Sequence, residues 1–441
     1  MHSEPNFLQN VRAELSNGRV WLERAIVLAY AAAAGLLVVG FTLLSDAAFG
    51  LFERIHGVSP WLVLIWTPAV TAGIVWCTRR WVPGAAGSGI PQVVAALDPE
   101  MPDAQRPRFV SLRLSLGKVV LGAAGFLAGL SIGREGPSVQ VAAGVMQHAR
   151  RWLRPDSAIT VHALLVAGGA AGIAAAFNAP LAGIVFAIEE LSRKLESRSS
   201  GLIIAAIVLA GLMGVSAFGN LSYFGVIRVP GLAWTALWPA LMVTVSCGLL
   251  GGLFARVMAA SLTGAPDRFN DLRRRYPVRF AAAGGLVIAV IGLVTHGATF
   301  GAGSEAVKHM LAGEADVPAL YVTLKFIATW LSAWCGVPGG IFAPSLSIGA
   351  GVGHNVSMIA GGAELAPALI AIGMAAFLAA VTQAPLTAFI IVMEMVDGHA
   401  MVLSLMTGAM LASLISRMLT RPLYETLADA MVAGVRGASP R

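Results

Sequence analysis

"GGAAGIAAAFNAPLAGIVFAIEE", residues 168–190, is written a second time in this chain, as "GMAAFLAAVTQAPLTAFIIVME" at residues 373–394. With a constant offset of 205, which carries Pro180 onto Pro385, Gly168, Ala175, Ala179, Leu181 and Glu189 fall on Gly373, Ala380, Ala384, Leu386 and Glu394. Alanine-rich helices match by composition alone, so the weight rests on Ala-Pro-Leu followed eight residues later by Glu. Two further correspondences support it. Lys118 stands nineteen residues before the proline of "REGPS", and Lys325 nineteen before that of "IFAPS". Upstream of each lies a Gly-x-Gly turn, "GSGIPQV" (87–93) and "GAGSEAV" (301–307). An internal repeat redirects the whole fold assignment. The chain reads as a segment 1–24, a first repeat 25–225, a linker 226–233 and a second repeat 234–441.

Of the 441 residues, 57% are hydrophobic and 12% charged, with a mean hydropathy of +0.77; soluble domains carry roughly 25% charged residues. That balance describes an all-α polytopic membrane protein. Runs such as 25–44, 233–254 and 279–295 approach or exceed the ~20 residues that cross a bilayer as a helix. The runs after Pro137, Pro180, Phe342 and Pro385 are shorter and read as partial helices within a bundle. A duplicated chain with Gly/Pro-broken helices at matching places suggests a secondary transporter, or a channel derived from one, with its site between the halves. The offset alone leaves open whether the halves are parallel or inverted.

The formal charge of +7 comes largely from "QRPRF" (105–109), "ARRWLR" (149–154) and "LRRRYPVR" (272–279), which read as cytoplasmic loop anchors. Arg12, Arg19 and Arg24 precede the first apolar run and only the lone Arg54 follows it, which puts the N-terminus in the cytoplasm. That run is too long for a signal-peptide core. No basic segment is interleaved with aromatics, so nucleic acid is not an expected partner. Cys77, Cys247 and Cys335 are far apart and the eight histidines form no HExxH pattern, so neither metal nor cofactor is called for. An enzyme is not expected, because GxSxG and Walker A sequences are missing. A TVGYG cation filter is missing as well.

Three stretches share one physical form, a glycine-rich turn opening a helix-compatible run: "GSGIPQVVAAL" (87–97), "GREGPSVQVAAG" (133–144) and "GGIFAPSLSIGAG" (339–351). Each presents a helix N-terminus whose first N–H groups lack an intrahelical partner. Several such ends, each carrying about +0.5 of an elementary charge, hold a small anion without a full positive charge that would trap it. Ser88 lies in the first turn, and Tyr424 in "RPLYETL" offers a second hydroxyl. Glu135, beside Arg134 in an apolar setting, is an ionisable residue of the kind that marks function in membranes.

In "GSGIP" (87–91), "GREGP" (133–137), "GIFAP" (340–344), "AAAFNAPLAGIVFAIEE" and the late "PLYE", the chain resembles the CLC family of chloride channels and chloride/proton antiporters, bacterial type. The resemblance implies two inverted-topology repeats of tilted, partly broken helices in a multi-pass protein of the cell membrane, both termini cytoplasmic. It also implies a homodimer in lipid, each subunit having its own anion pathway. Carried over, Ser88 and Tyr424 would coordinate a central anion with Gly87 and the N–H groups of Ile341 and Phe342, while Gly136 and Ala343 would form an outer site. Glu135 would be the gating glutamate, a tethered mimic of chloride that swings away when protonated. Glu190 matches the internal proton-transfer glutamate of many antiporters, so the implied activity is chloride/proton exchange with other small monovalent anions also passing. A passive chloride channel is the alternative. Arg134 and Lys118 would give electropositive support. Taken by itself, Glu190 also reads as a solvated carboxylate paired with Arg193 or Lys194. Glu189 is assigned to structure. Ser88 favours chloride, since proline there resembles nitrate exchangers. Gln92 and Val94 depart from the acidic residues of close antiporter relatives, which leaves buried Lys118 without the expected partner. The sequence ends soon after Tyr424, so paired CBS domains are not expected.

Overall fold

In a computed structural model of the chain, the described residues are 18–192, 200–219, 236–313, 318, 320–360, 363–396 and 399–437. Among them the backbone forms α-helices and short 3-10 or π turns, with two isolated β-bridges as the sole extended pairing. The first half supplies α1 (Gly18–Val58), α2 (Val63–Trp81), α3 (Ile90–Leu97), α4 (Leu112–Leu127), α5 (Glu135–His148), α6 (Val161–Phe177), α7 (Pro180–Phe186) and α8 (Ser200–Phe218). The second supplies α9 (Leu237–Thr263), α10 (Arg268–Arg275), α11 (Pro277–Val294), α12 (Ser304–Ala312), α13 (Tyr321–Trp334), α14 (Phe342–Ala360), α15 (Ala366–Thr382), α16 (Pro385–Val396), α17 (Val402–Arg417) and α18 (Leu423–Gly437).

Among the described residues six segments are long and apolar enough to cross a membrane, including α1, α8, α9 and α11. With 41 residues, α1 is about 60 Å long at 1.5 Å per residue, twice the ~30 Å hydrocarbon layer, so it tilts and its ends project. Its described residues are helical from Gly18, ahead of the apolar run at 25, and within this stretch the Glu23 carboxylate accepts from Arg154 Nε at 3.0 Å and from Ser157 Oγ at 2.8 Å. Residues 1–17 and the expected linker 226–233 lie outside the described residues. Leu36, Leu43, Ile65, Trp238 and Val287 are exposed, and an apolar outer surface of this kind suits lipid.

The core is made by helices buried all round. From Ala163 to Phe177 in α6, and from Ala368 to Thr382 in α15, every residue is buried. The neighbouring backbones come very close: a Cβ on Gly349 of α14 would meet Gly373 O at 2.2 Å, and one on Gly373 would meet Gly349 O at 2.2 Å. Small residues permit this contact, which is how helices associate where hydrophobicity gives no drive between them.

The duplication recurs bond by bond. Glu189 accepts from the N–H groups of Leu386 (3.1 Å) and Thr387 (2.7 Å), at the start of α16. Glu394 accepts from those of Leu181 (3.3 Å) and Ala182 (2.8 Å), at the start of α7. Each carboxylate thus satisfies orphan donors at a helix N-terminus of the other half. Asn178 and Gln383, again 205 apart, both take the left-handed conformation that ends α6 and α15. Fully buried Lys118 donates to the carbonyls of Ala85 (2.8 Å) and Gly87 (2.6 Å); fully buried Lys325 does so to Thr299 (3.0 Å) and Gly301 (2.8 Å). Gly133 and Gly340 exchange N–H···O bonds of 2.7 Å in both directions across an antiparallel bridge. Reciprocal antiparallel bonding between equivalent residues is what a two-fold relation between the halves produces.

Candidate functional site

The three glycine-rich stretches are sewn together by backbone bonds. Gly87 N–H donates to Val337 O and Gly339 N–H to Gly87 O, both at 3.2 Å, while Gly133 pairs with Gly340. These turns set the starts of α3, α5 and α14 side by side. Gly136 lies where they meet: a Cβ there would stand 2.3 Å from Ser88 Oγ and 3.4 Å from the Cα of Gly340. The turn before α3 needs left-handed backbone at Gly87 and Gly89, φ 77° and 114°, a region that glycine adopts without steric cost. Gln92 closes this turn, accepting from Gly89 N–H at 2.9 Å and donating to Ala86 O at 2.6 Å.

Two cavities approach this junction. One, of about 280 Å³, is lined by Gly87, Ser88, Gln92, Ile341 and Tyr424 among others. The Ser88 and Tyr424 hydroxyls approach one another there, and neither oxygen closes a hydrogen bond. Two buried hydroxyls left unsatisfied are costly unless a ligand uses them. The N–H groups of Ile341 and Phe342 precede the first backbone bond of α14, Ser345 N–H to Ile341 O, and are orphan donors beside the same cavity. Phe342 stacks loosely on Phe177 and lies 6.0 Å from the Tyr424 ring, which holds the latter in place.

The second cavity, of about 600 Å³, is lined by Asp46, Glu53, Arg134, His296, Lys308 and His309 among others. Arg134 donates to Asp46 at 2.5 Å and to Thr42 O at 3.4 Å. The neighbouring Glu135 is 1% exposed; of the residues beside it, Arg134 lines the second cavity and Gly136 packs against Ser88, which lines the first. Its Oε2 accepts from the N–H of Ala343 at 3.4 Å. The carboxylate therefore occupies one of the orphan-donor positions that an anion would take at the start of α14.

Glu190 is half-buried in a π-helical turn, Ala187–Leu191, which continues α7; such turns are frequent at functional sites. Both Glu190 and Glu135 are close enough to act electrostatically on the Tyr424 hydroxyl. Arg193 and Lys194, the alternative partners of Glu190, lie outside the described residues.

Sequence reasoning missed Asp46 as the partner of Arg134, a contact across 88 residues, and it missed the π turn. It also left Lys118 without a counterpart. The structure gives it two carbonyls instead of a carboxylate, and among the described residues it makes no ion pair. Cys247 and Cys335 are buried as expected, whereas Cys77 is partly exposed.

A model of the family described as "Voltage gated chloride channel" matches residues 69–417. The chain belongs to this family. The CLC relatives it resembles include the H(+)/Cl(-) exchange transporter ClcA of Vibrio parahaemolyticus, 30% identical over 390 residues, covering 86% of this chain and 82% of the relative. ClcA of Cronobacter sakazakii is 31% identical over 417 residues, covering 89% and 86%. Among solved structures, a slow cyanobacterial Cl-/H+ antiporter superposes with a TM-score of 0.78 at 24% identity, covering 93% of this chain and 98% of the other. A CLC-type fluoride/proton antiporter gives 0.76 at 19% identity, with the same coverage. These likenesses establish the CLC fold with its broken helices, and with it a multi-pass membrane protein.

Proposed function

We propose that this CLC protein exchanges chloride, and other small monovalent anions, for protons. The observation that carries the reading is the position of Glu135, whose buried carboxylate accepts from the Ala343 N–H at the start of α14, with Tyr424 near enough to feel both it and Glu190. The names of the ClcA relatives, which are H(+)/Cl(-) exchange transporters, point the same way. The central anion is held by the Ser88 and Tyr424 hydroxyls and the N–H groups of Ile341 and Phe342, with Gly87 shaping the turn. Gly136 and Ala343 offer amides to an outer anion, which competes with the Glu135 carboxylate. Protonation removes the charge that holds Glu135 there, and the side chain yields its place. The proton passes between Glu135 and Glu190 while anions pass Ser88 and Tyr424. Arg134 raises the potential at one mouth, and Lys118 supports the "GSGIP" turn from beneath.

The halves 25–225 and 234–441 each contribute helix starts to this path. Orientation follows from charge. Glu53 near the end of α1 lines the Arg134 cavity, whereas Glu23 at its start pairs with Arg154, so Arg154 belongs to the opposite, Tyr424 end. Arg273, followed in sequence by Arg274 and Arg275, lines the Tyr424 cavity with Arg79 near it, and Arg150 and Arg151 stand a few residues before Arg154, while Lys308 and Glu53, the neighbour of Arg54, line the other cavity. The positive-inside rule puts the Tyr424 end, and both termini, in the cytoplasm. In the membrane the protein pairs with a second copy.

The test is proton flux in proteoliposomes under an imposed chloride gradient. Wild type should drive protons uphill; Glu135→Ala and Glu190→Ala should abolish proton movement while chloride still flows. Chloride flux without protons in the wild type would make the protein a passive channel.

A further inference from the structure

The arginines of "LRRRYPVR" first read as loop anchors, and the transport path leaves most of them without a role. In the structure they belong to a shaped surface. α10 bridges the end of α9 and the start of α11, and Arg273 on it lines the Tyr424 cavity, which fixes α10 at that end of the protein. Its one buried residue, Asn270, accepts from Trp334 Nε1 at 3.0 Å and donates to Ala265 O at 3.1 Å. With Asn270 turned inward, Phe269, Leu272 and Tyr276 are left exposed beside exposed Arg268 and Arg275.

The surface continues onto the membrane-crossing helices. On α11, Arg279, Ala283, Val287, Val290 and Val294 are exposed; residues three or four apart share a helix face, so an apolar stripe starts at an arginine. α2 packs so closely on α11 that a Cβ on Gly285 would meet Pro68 Cα at 2.9 Å, and it shows the same stripe in reverse. Ile65, Ala69, Gly73, Trp76 and Arg80 are exposed there. Each stripe is about 22 Å long at 1.5 Å per residue, within the ~30 Å hydrocarbon layer, so its arginine reaches the headgroups on a flexible stem. The end of α2 lies beside α10, since Arg79 is near enough to act electrostatically on Arg273. Rings accompany the charges: Trp76 and Trp81 meet edge-on at 5.3 Å, and the Arg279 guanidinium lies 5.3 Å over Tyr276. Trp and Tyr favour the membrane–water boundary.

Among the described residues Arg80, Arg268, Arg275 and Arg279 form no ion pair, and the acids of this segment are engaged, Asp271 with Arg274 and Asp267 with Asn270. Arg279 stands in the first turn of α11, which has no acid. That is the positive end of the helix dipole, so stability of the helix alone does not place a cation there.

We propose that α10 and the adjoining ends of α2 and α11 form a docking surface for anionic phospholipid, with Arg80, Arg275 and Arg279 on the headgroup phosphates. Phe269, Leu272 and Trp76 lie among the upper acyl carbons. On the orientation proposed above, this is the cytoplasmic leaflet. Positive charge without acids selects an anionic lipid over a zwitterionic one. The apolar stripes that run from the arginines select a lipid over a soluble phosphate, which would leave the rings uncovered.

The test is native mass spectrometry of delipidated protein in detergent, titrated with phosphatidylglycerol and, separately, with phosphatidylcholine of the same acyl chains. Wild type should bind the first phosphatidylglycerol at least tenfold more tightly than phosphatidylcholine. In Arg275→Gln/Arg279→Gln that preference should fall by roughly fivefold per arginine. Arg151→Gln, which removes an exposed arginine from another loop, should keep it, and excess inorganic phosphate should not displace the lipid. Equal affinity for the two lipids in wild type, or an equal loss in R151Q, would overturn the proposal. Displacement by phosphate would make the occupant a soluble anion and overturn it as well. If R275Q/R279Q does not survive purification, the wild type carries the test: its preference must shrink severalfold between about 20 and 200 mM inert salt, and a salt-independent preference sinks the surface. No ion flux is read, so the outcome is separate from that of the exchange mechanism.

Discussion

On the mechanism proposed above, adding one methyl group at Gly133 should displace the Glu135 carboxylate and open the pathway without changing Glu135 itself. A Cβ built there stands 2.3 Å from Glu135 Oε2, 3.2 Å from Pro344 Cδ and 3.3 Å from Ala343 N, where ordinary contact begins at 3.4 Å. The backbone at 133 is not left-handed, and its two bonds to Gly340 survive the substitution, so Gly133→Ala leaves the local fold intact. The contacts with Pro344 Cδ and Ala343 N need a few tenths of an ångström. The carboxylate must retreat by about 1 Å, which breaks its 3.4 Å bond from Ala343 N–H. A hydrogen bond to a charged group contributes about 1.5–3 kcal/mol, which is about a tenfold to hundredfold drop in occupancy of the closed position. Chloride turnover should rise and fewer protons should accompany each chloride. Simultaneous chloride and pH electrodes on proteoliposomes read both. A Gly133→Ala protein that is folded, with the rate and proton ratio of wild type, would refute the claim that the carboxylate rests where the geometry puts it.

Adjacent glutamates should behave oppositely. Glu189→Gln weakens two charge-assisted bonds at the start of α16 and should cost about 1–2 kcal/mol of stability, read as a lower midpoint of thermal aggregation in detergent, with proton coupling kept. Glu190→Gln should keep the midpoint and lose proton flux. Because the capping is reciprocal, Glu394→Gln should match Glu189→Gln in stability, and a loss in only one of the two would break the equivalence of the halves. Lys118→Met and Lys325→Met each strip a donor from two buried carbonyls and should each cost about 3 kcal/mol, visible as loss of monodisperse protein after mild heating. Tyr424→Phe removes one hydroxyl from the site and should lower anion affinity in titration calorimetry while leaving the fold unchanged.

Much of this site is written in local sequence. Glycine and proline fix where α3, α5 and α14 begin, because turns and helix starts are short-range events, and the repeat told which turns correspond. The equal spacing of Lys118 and Lys325 from their prolines anticipated the paired lysine clamps. Other features depend on distances along the chain that no pattern encodes. Asp46 meets Arg134 only because α1 crosses the mouth of α5, and Glu23 meets Arg154 across 131 residues. The π turn at Glu190 has no local signal in the sequence that marks it.

The mutual bond between Gly133 and Gly340 has a further consequence. An operation that exchanges these two residues, 207 apart, also exchanges Glu135 with Phe342 and Gly136 with Ala343. Two identical chains related in this way would have to place the same side chain at both positions: two acids facing each other, or two aromatic rings and no gate. Joining the copies in one chain lifts that constraint. The acid stands on one side of the axis and the ring beside Tyr424 on the other, so a scaffold that is nearly symmetric acquires two unlike ends.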